Sequence, residues 1–237
     1  MIAKDFDYDS SGTLCEGYVA YEESSDIKRP GVLVVPNWMG IGDFVKEKCR
    51  DLASLGYIAF AVDVYGKGVR PKDREEAAKL SSTYKENYTL LRKRLLDAME
   101  ALKGFELLKE GYIGAIGYCF GGTAVLELAR SGADVKGVVS FHGGLSTLDV
   151  KRDPIKAKIL VCHGVDDPFV PITQVEDFIK EMNERKADYQ IIIYSDAVHS
   201  FTEKSAGNDK SKGTAYNELA DKRSWNHMLL FFQEIFR

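Results

Sequence analysis

The sequence predicts an α/β fold, with a mostly parallel central sheet carrying helices on both faces, and three observations predict it. Short apolar runs rich in β-branched residues alternate with stretches whose apolar residues recur every three or four positions, the order that builds parallel sheets through right-handed crossovers. Gly31-Val32-Leu33-Val34-Val35 is apolar without alternation, the mark of a strand covered on both faces. Gly111 to Ile116, then Gly117-Tyr118-Cys119-Phe120-Gly121-Gly122, then Thr123 to Arg130 read as strand, sharp turn and helix. The 237 residues, 45% of them hydrophobic, suffice for a large core, and 1–237 reads as one domain.

Taken in order, a polar start leads to a short strand at Gly17–Tyr21, and the buried strand at Gly31–Val35 ends in the loop Pro36-Asn37-Trp38-Met39-Gly40. A helix over Asp43–Leu55 precedes a strand at Tyr57–Val62 and the loop Asp63-Val64-Tyr65-Gly66-Lys67-Gly68. From Arg74 to Leu108 the apolar spacing is helical, and Ser81-Ser82-Thr83 inside it predicts two helices with a bend there. Tyr84 and Tyr88 on that stripe are either core contacts or aromatics leaning over the sheet edge where a substrate would lie. Beyond the Cys119 turn come strands at Lys136–His142 and Ile159–His163, a helix over Thr173–Lys186, a strand at Tyr189–Tyr194 and a last helix over Ala215–Phe236. No repeat or low-complexity segment interrupts the series.

Composition excludes several classes of function. A net charge of −4 without a basic, aromatic-interleaved stretch argues against a nucleic-acid partner. The first residues lack the charged-then-apolar order of a signal sequence, and no apolar run approaches the roughly 18 residues of a membrane span, so the expectation is a cytoplasmic protein with no membrane partner, a monomer or small homo-oligomer. Cys15, Cys49, Cys119 and Cys162 are widely spaced, with no pair suggesting zinc or a redox motif, and free thiols are expected.

The turn at Cys119 is the chemical centre of the sequence. Gly117 and Gly121 stand two positions either side of it, where a turn that lifts one side chain above a sheet leaves no room for others. The pattern is Gly-x-Cys-x-Gly, a nucleophile elbow with cysteine in the serine slot. A buried thiol at a Gly-rich turn is the plainer alternative. Asp167 follows one late strand and His199 the next, giving the chain order nucleophile, acid, base of the α/β-hydrolase fold, and loops at the carboxyl ends of parallel strands bring such residues together. Cys119, Asp167 and His199 are the candidate catalytic residues: thiol needs a base, imidazole titrates near neutrality, and a carboxylate fixes its tautomer. Asp166 competes with Asp167, while His142 and His163, at strand ends on the same edge, are rival bases or loop-bonding residues. Asp196 reads as a turn residue, Cys162 as core and His227 as a packing or surface residue. The scattered histidines and carboxylates have no metal-ligand spacing, and this chemistry asks for no cofactor.

Gly-Tyr-Cys-Phe-Gly-Gly, together with His163-Gly164-x-x-Asp167 and His199-Ser200-Phe201, resembles the dienelactone hydrolase family over nearly the whole chain from Gly31 onward. The resemblance implies a thioester-type acyl-enzyme and an oxyanion hole made by the backbone N–H groups of Trp38 and Phe120. Two departures from the family pattern stand out. Asn37 replaces a glutamate thought to hold the nucleophile's proton, and Glu203 lies near the place of an arginine that grips a substrate carboxylate. With Asn37 unable to take a proton, either activation falls on His199 or Cys119 rests as a thiol, and the rate should rise with pH through a single group near neutrality, the histidine or the coupled thiol–imidazole pair. The expected substrate is a small ester or lactone, neutral and apolar, in a pocket lined by Asn37, Met39, Tyr65, Phe169 and Phe201. Lys67 and Arg70 are the nearby cations that would restore anion binding. An aryl phosphotriester is a conceivable side substrate, because its phosphoryl oxygen gains charge much as a carbonyl does. The competing functions are a true dienelactone hydrolase acting on an anionic lactone, a ligand-binding protein on the same scaffold, and a thiol redox protein.

Overall fold

A computed structural model describes residues 1–23 and 27–237, and the alternation read from the sequence builds one eight-stranded sheet. Its strands are β1 (Ile2–Ser10), β2 (Thr13–Tyr21), β3 (Arg29–Val35), β4 (Ile58–Ala61), β5 (Leu108–Tyr118), β6 (Gly137–Phe141), β7 (Lys158–Gly164) and β8 (Tyr189–Tyr194), in the spatial order 1-2-4-3-5-6-7-8. The pairs from β4 through β8 are parallel, whereas β1 and β2 join antiparallel at one edge.

Period-two placement explains why β3 and β4 read as unbroken apolar runs. Leu33, Val35, Ile58 and Phe60 face one core, and Val32, Val34, Ala59 and Ala61 face the other. The first core is roofed by α3 (Tyr88–Lys103), α4 (Phe120–Arg130) and α5 (Ile172–Glu184), the second by α1 (Asp43–Ser54) and α6 (Glu218–Ile235).

Two sequence expectations need correction. The polar start is the strand β1: Phe6 and Tyr8 pack inward while Asp5, Asp7 and Asp9 face water, as an edge strand with one solvated face allows. Ser11 and Gly12, with φ of 55° and 85°, close the hairpin to β2. The long helical segment breaks at Asn87 rather than at Ser81–Thr83, into α2 (Arg74–Glu86) and α3. Asn87 ends one helix and caps the next, its Oδ1 accepting the Leu90 N–H at 3.0 Å. The segment also stops at Lys103, so Leu108 belongs to β5.

A buried ion network, not visible in the sequence, ties this roof to the loop after β6. Arg130 bonds Glu127 (3.0 Å), Glu181 (2.8 Å) and the Leu145 carbonyl (2.7 Å), while Arg92 bonds Glu127 and Asp149 at 2.7 and 2.9 Å. Every carboxylate in it meets at least one guanidinium, the condition under which buried charge is tolerated. Because Cys119 is the N-cap of α4, the network fixes the far end of the helix that follows the elbow.

Candidate active site

The turn between β5 and α4 is as crowded as the sequence implies. A Cβ at Gly117 would lie 2.0 Å from the Gly121 carbonyl oxygen, and one at Gly121 would lie 2.1 Å from that of Val35. Cys119 itself sits at φ 54°, ψ −115°, a backbone state costly for a side-chain-bearing residue. Its N–H is shared between the Phe141 carbonyl (3.0 Å) and His142 Nδ1 (3.2 Å). The thiol is thereby presented half-buried at the floor of a cavity of about 850 Å³.

Loops after β7 and β8 bring the other two residues to it. Asp167 is buried, and its Oδ1 accepts the N–H groups of Phe169 and Val170 at 2.9 and 3.1 Å. Its Oδ2 lies 2.7 Å from His199 Nδ1, and His199 Nε2 lies 3.1 Å from Cys119 Sγ. Burial by itself would push the imidazole down, but the hydrogen bonds with Asp167 and Cys119 and the charges on both outweigh it, and His199 is pushed up to about 10. The group is thus held above the neutral range in which an ordinary imidazole titrates. Asp166 is exposed, and Asp196, at φ 60°, turns the loop before His199. Burial pushes the Cys162 thiol up to about 12. His163 is buried beside the site and its pKa is lowered by burial, while His227 bonds the Tyr194 hydroxyl at 2.9 Å.

The loop after β3 forms the opposite wall. Asn37 Oδ1 accepts the Met39 N–H at 2.9 Å, which fixes its amide so that Nδ2 donates to Glu203 Oε2 at 2.7 Å. The Tyr65 hydroxyl donates to the Trp38 carbonyl at 2.8 Å. Among the described residues the N–H groups of Trp38 and Phe120 have no acceptor. Glu203 is buried, its Oε1 has no partner, and burial raises its pKa against the lowering effects of Asn37 and His199.

Several pocket expectations change. Asn37, Met39 and Phe169 line the cavity, as does Tyr88, but Tyr65 and Phe201 do not. Tyr65 lies behind the Asn37 loop, stacked on Phe120 and against the buried Tyr84, and Phe201 points into the second core between Tyr194 and His142. Ser200, with φ of 59°, turns the chain between His199 at the cavity and Phe201 in the core. Lys67 pairs with Asp7 and Glu16, Arg70 pairs with Asp63, and neither lines the cavity; Arg74, Lys85 and Lys212 do, and the sequence reading missed them. It also treated Asn37 and Glu203 as separate departures, although their joint change was the available sign that they touch. No group of three metal-ligating side chains forms among the described residues, and no helix there is long and apolar enough to cross a membrane.

The doubly covered parallel sheet, the strained turn into α4 and the convergence of loops after β7 and β8 define an α/β-hydrolase whose elbow holds cysteine. A model of the dienelactone hydrolase family matches residues 15–236, and the chain belongs to that family of ester-bond hydrolases. The dienelactone hydrolase-like promiscuous phosphotriesterase P91 from metagenomic libraries superimposes with a TM-score of 0.94 at 36% identity, over 100% of this chain and 99% of its own. The structure of m3DLH matches with a TM-score of 0.94 at 34% identity and the same coverage. A Bradyrhizobium protein described as a probable 2-oxo-3-(5-oxofuran-2-ylidene)propanoate lactonase is 28% identical over 243 residues, covering 96% of this chain and 93% of its own.

Proposed function

We propose that the chain is a cysteine-dependent hydrolase of neutral carboxylic esters or lactones, acting through Cys119, His199 and Asp167 without a cofactor. The observation that carries the reading is the unbroken relay from Sγ through the imidazole to the Asp167 carboxylate, 3.1 Å and 2.7 Å long, at the cavity floor. With His199 pushed up to about 10, the imidazole holds a proton through the neutral range, and Cys119 attacks as the thiolate beside it. The thiolate attacks the carbonyl carbon, and the oxygen that gains charge is received by the N–H groups of Trp38 and Phe120. Collapse breaks the C–O bond as Nε2–H protonates the departing alkoxide, leaving a thioester. His199, now neutral, takes a proton from water, whose hydroxide attacks the thioester and releases acid and thiolate.

A neutral substrate is favoured by Asn37, Met39, Phe169 and a proton-favouring Glu203 in the lining, against which Arg74, Lys85 and Lys212 are the cavity cations that could pair with a substrate carboxylate. Aryl phosphotriesters are a plausible side substrate in this proposal, since the solved relative P91 carries that description. The deciding experiment compares kcat/KM for a neutral aryl ester and its carboxylate-bearing analogue in wild type and Cys119→Ala. The expected result is a preference for the neutral ester and loss of turnover in the variant. A preference for the anion that disappears in Lys85→Ala or Arg74→Ala would return the protein to a dienelactone-type role. Equal rates in Cys119→Ala would remove the cysteine from the mechanism.

A further inference from the structure

We propose that His142 is a positioning residue that joins the nucleophile's turn to the loop bearing the base. It stands at the end of β6 with no solvent exposure and a φ of 41°, a left-handed state rare for a side-chain-bearing residue. Nδ1 receives the Cys119 backbone N–H at 3.2 Å, and Nε2 lies 2.8 Å from Oγ1 of Thr202, three residues past His199.

The first contact settles the tautomer: a backbone N–H only donates, so Nδ1 is the acceptor and Nε2 carries the proton and donates to Thr202. The ring also meets His199 edge to face at 5.2 Å and Phe201 at 5.1 Å. His142 thus touches both the amide that sets the Cys119 conformation and the loop that sets the His199 ring. Neither nitrogen is free to take the nucleophile's proton, which separates it from the base. Burial and the neighbouring His199 charge both lower its pKa, in keeping with a neutral ring. A second cation here would oppose the imidazolium on His199, and a proton on Nδ1 would face the Cys119 N–H donor to donor.

This inference rests on the Cys119–His199 reading, and its test is built to fail separately. Turnover of a neutral aryl ester and alkylation of Cys119 by iodoacetamide at neutral pH are measured in wild type, His142→Leu, His142→Asn and Thr202→Val, with Cys119→Ala as the alkylation blank. His142→Leu should lower kcat by about 10- to 100-fold with KM within about threefold, as misplacement of a reacting group does, and should slow alkylation. His142→Asn should recover most of the loss, because its Oδ1 can replace Nδ1 as acceptor and asparagine tolerates left-handed backbone. Thr202→Val should fall between them.

A folded leucine variant with wild-type kcat and alkylation, or an asparagine variant as impaired as leucine, overturns the proposal. If the leucine variant does not fold, Thr202→Val decides: reduced kcat at unchanged KM supports the bridge, and wild-type behaviour removes it. Turnover that persists in Cys119→Ala would instead overturn the underlying reading, and alkylation would still report whether His142 positions the thiol.

Discussion

Two buried carboxyl groups stand about the candidate site, each 2.7 Å from the nitrogen of a neighbour on another loop, and they are held in opposite ways. Asp167 receives two backbone N–H groups and an imidazole that carries charge, so its negative form is answered on every side. Glu203 receives a single neutral amide, its second oxygen is buried without a partner, and burial favours its protonated form. Length of contact therefore says little about charge; the number and charge of the donors decide it. One carboxyl group supports a charged imidazole, the other a neutral bridge between the Asn37 loop and the loop of His199.

The sharpest way to break this comparison is to neutralise each carboxyl in turn. Asp167→Asn should lower kcat on an aryl ester by about 10³-fold, because the amide neither enforces the tautomer nor stabilises the imidazolium. Glu203→Gln should stay within about fivefold of wild type, since its amide oxygen still accepts from Asn37. Comparable losses in both would erase the distinction. A second effect follows from the raised His199. Single-turnover acylation should be nearly flat with pH through neutrality and should change as His199 loses its proton near 10; a steep rise around pH 6.5 would mean that the pair rests as thiol and neutral imidazole.

Asn37→Glu makes the surroundings of Glu203 resemble those of Asp167 in carrying charge. Two carboxyls would then meet where one amide contact of 2.7 Å now stands, and they should share a proton, adding a limb to the pH–rate profile and costing about tenfold at alkaline pH. A profile that overlays wild type would show that the loop is insensitive to charge at this point. Stability offers a finer test. The native state holds the Glu203 proton above the ordinary carboxyl range near 4.5, so stability should fall as pH rises from that range through the raised value. Glu203→Gln should remove the fall, melting higher than wild type at pH 8 and equal to it at acid pH, with each ~1 kcal/mol read as about 2–4 °C in a chain of this size. The smallest effect is expected at Lys67 and Arg70, whose replacement by alanine should leave ester kcat/KM within about twofold, because both are paired outside the cavity.

Most of the sheet and the Cys119, Asp167 and His199 arrangement were legible because strands buried on both faces, and loops at their carboxyl ends, leave strong local patterns. What escaped had weaker or non-local causes. The edge strand β1 alternates with aspartates and reads as polar, and the break at Asn87 depends on a single cap that competes with three adjacent hydroxyl residues. Tyr65 and Phe201 flank the site in sequence, yet one lies behind the Asn37 loop and the other in the second core. The Arg92, Glu127, Arg130, Asp149 and Glu181 network joins residues up to 57 positions apart and has no periodicity to betray it. Asn37 and Glu203 are separated by 166 positions, a distance over which only their shared departure from the family pattern connects them.

The backbone of Cys119 has a consequence for how this sequence persists. At φ 54° a side chain costs about 1–3 kcal/mol that glycine would not, so Cys119→Gly is among the easier substitutions for the fold to accept, even though the proposed mechanism would end with it. A lineage released from the need for turnover would drift toward glycine at this turn, since neutral drift has nothing to hold a thiol in a strained position. The strain at residue 119 is a stability cost that the fold carries for as long as a side chain stands there.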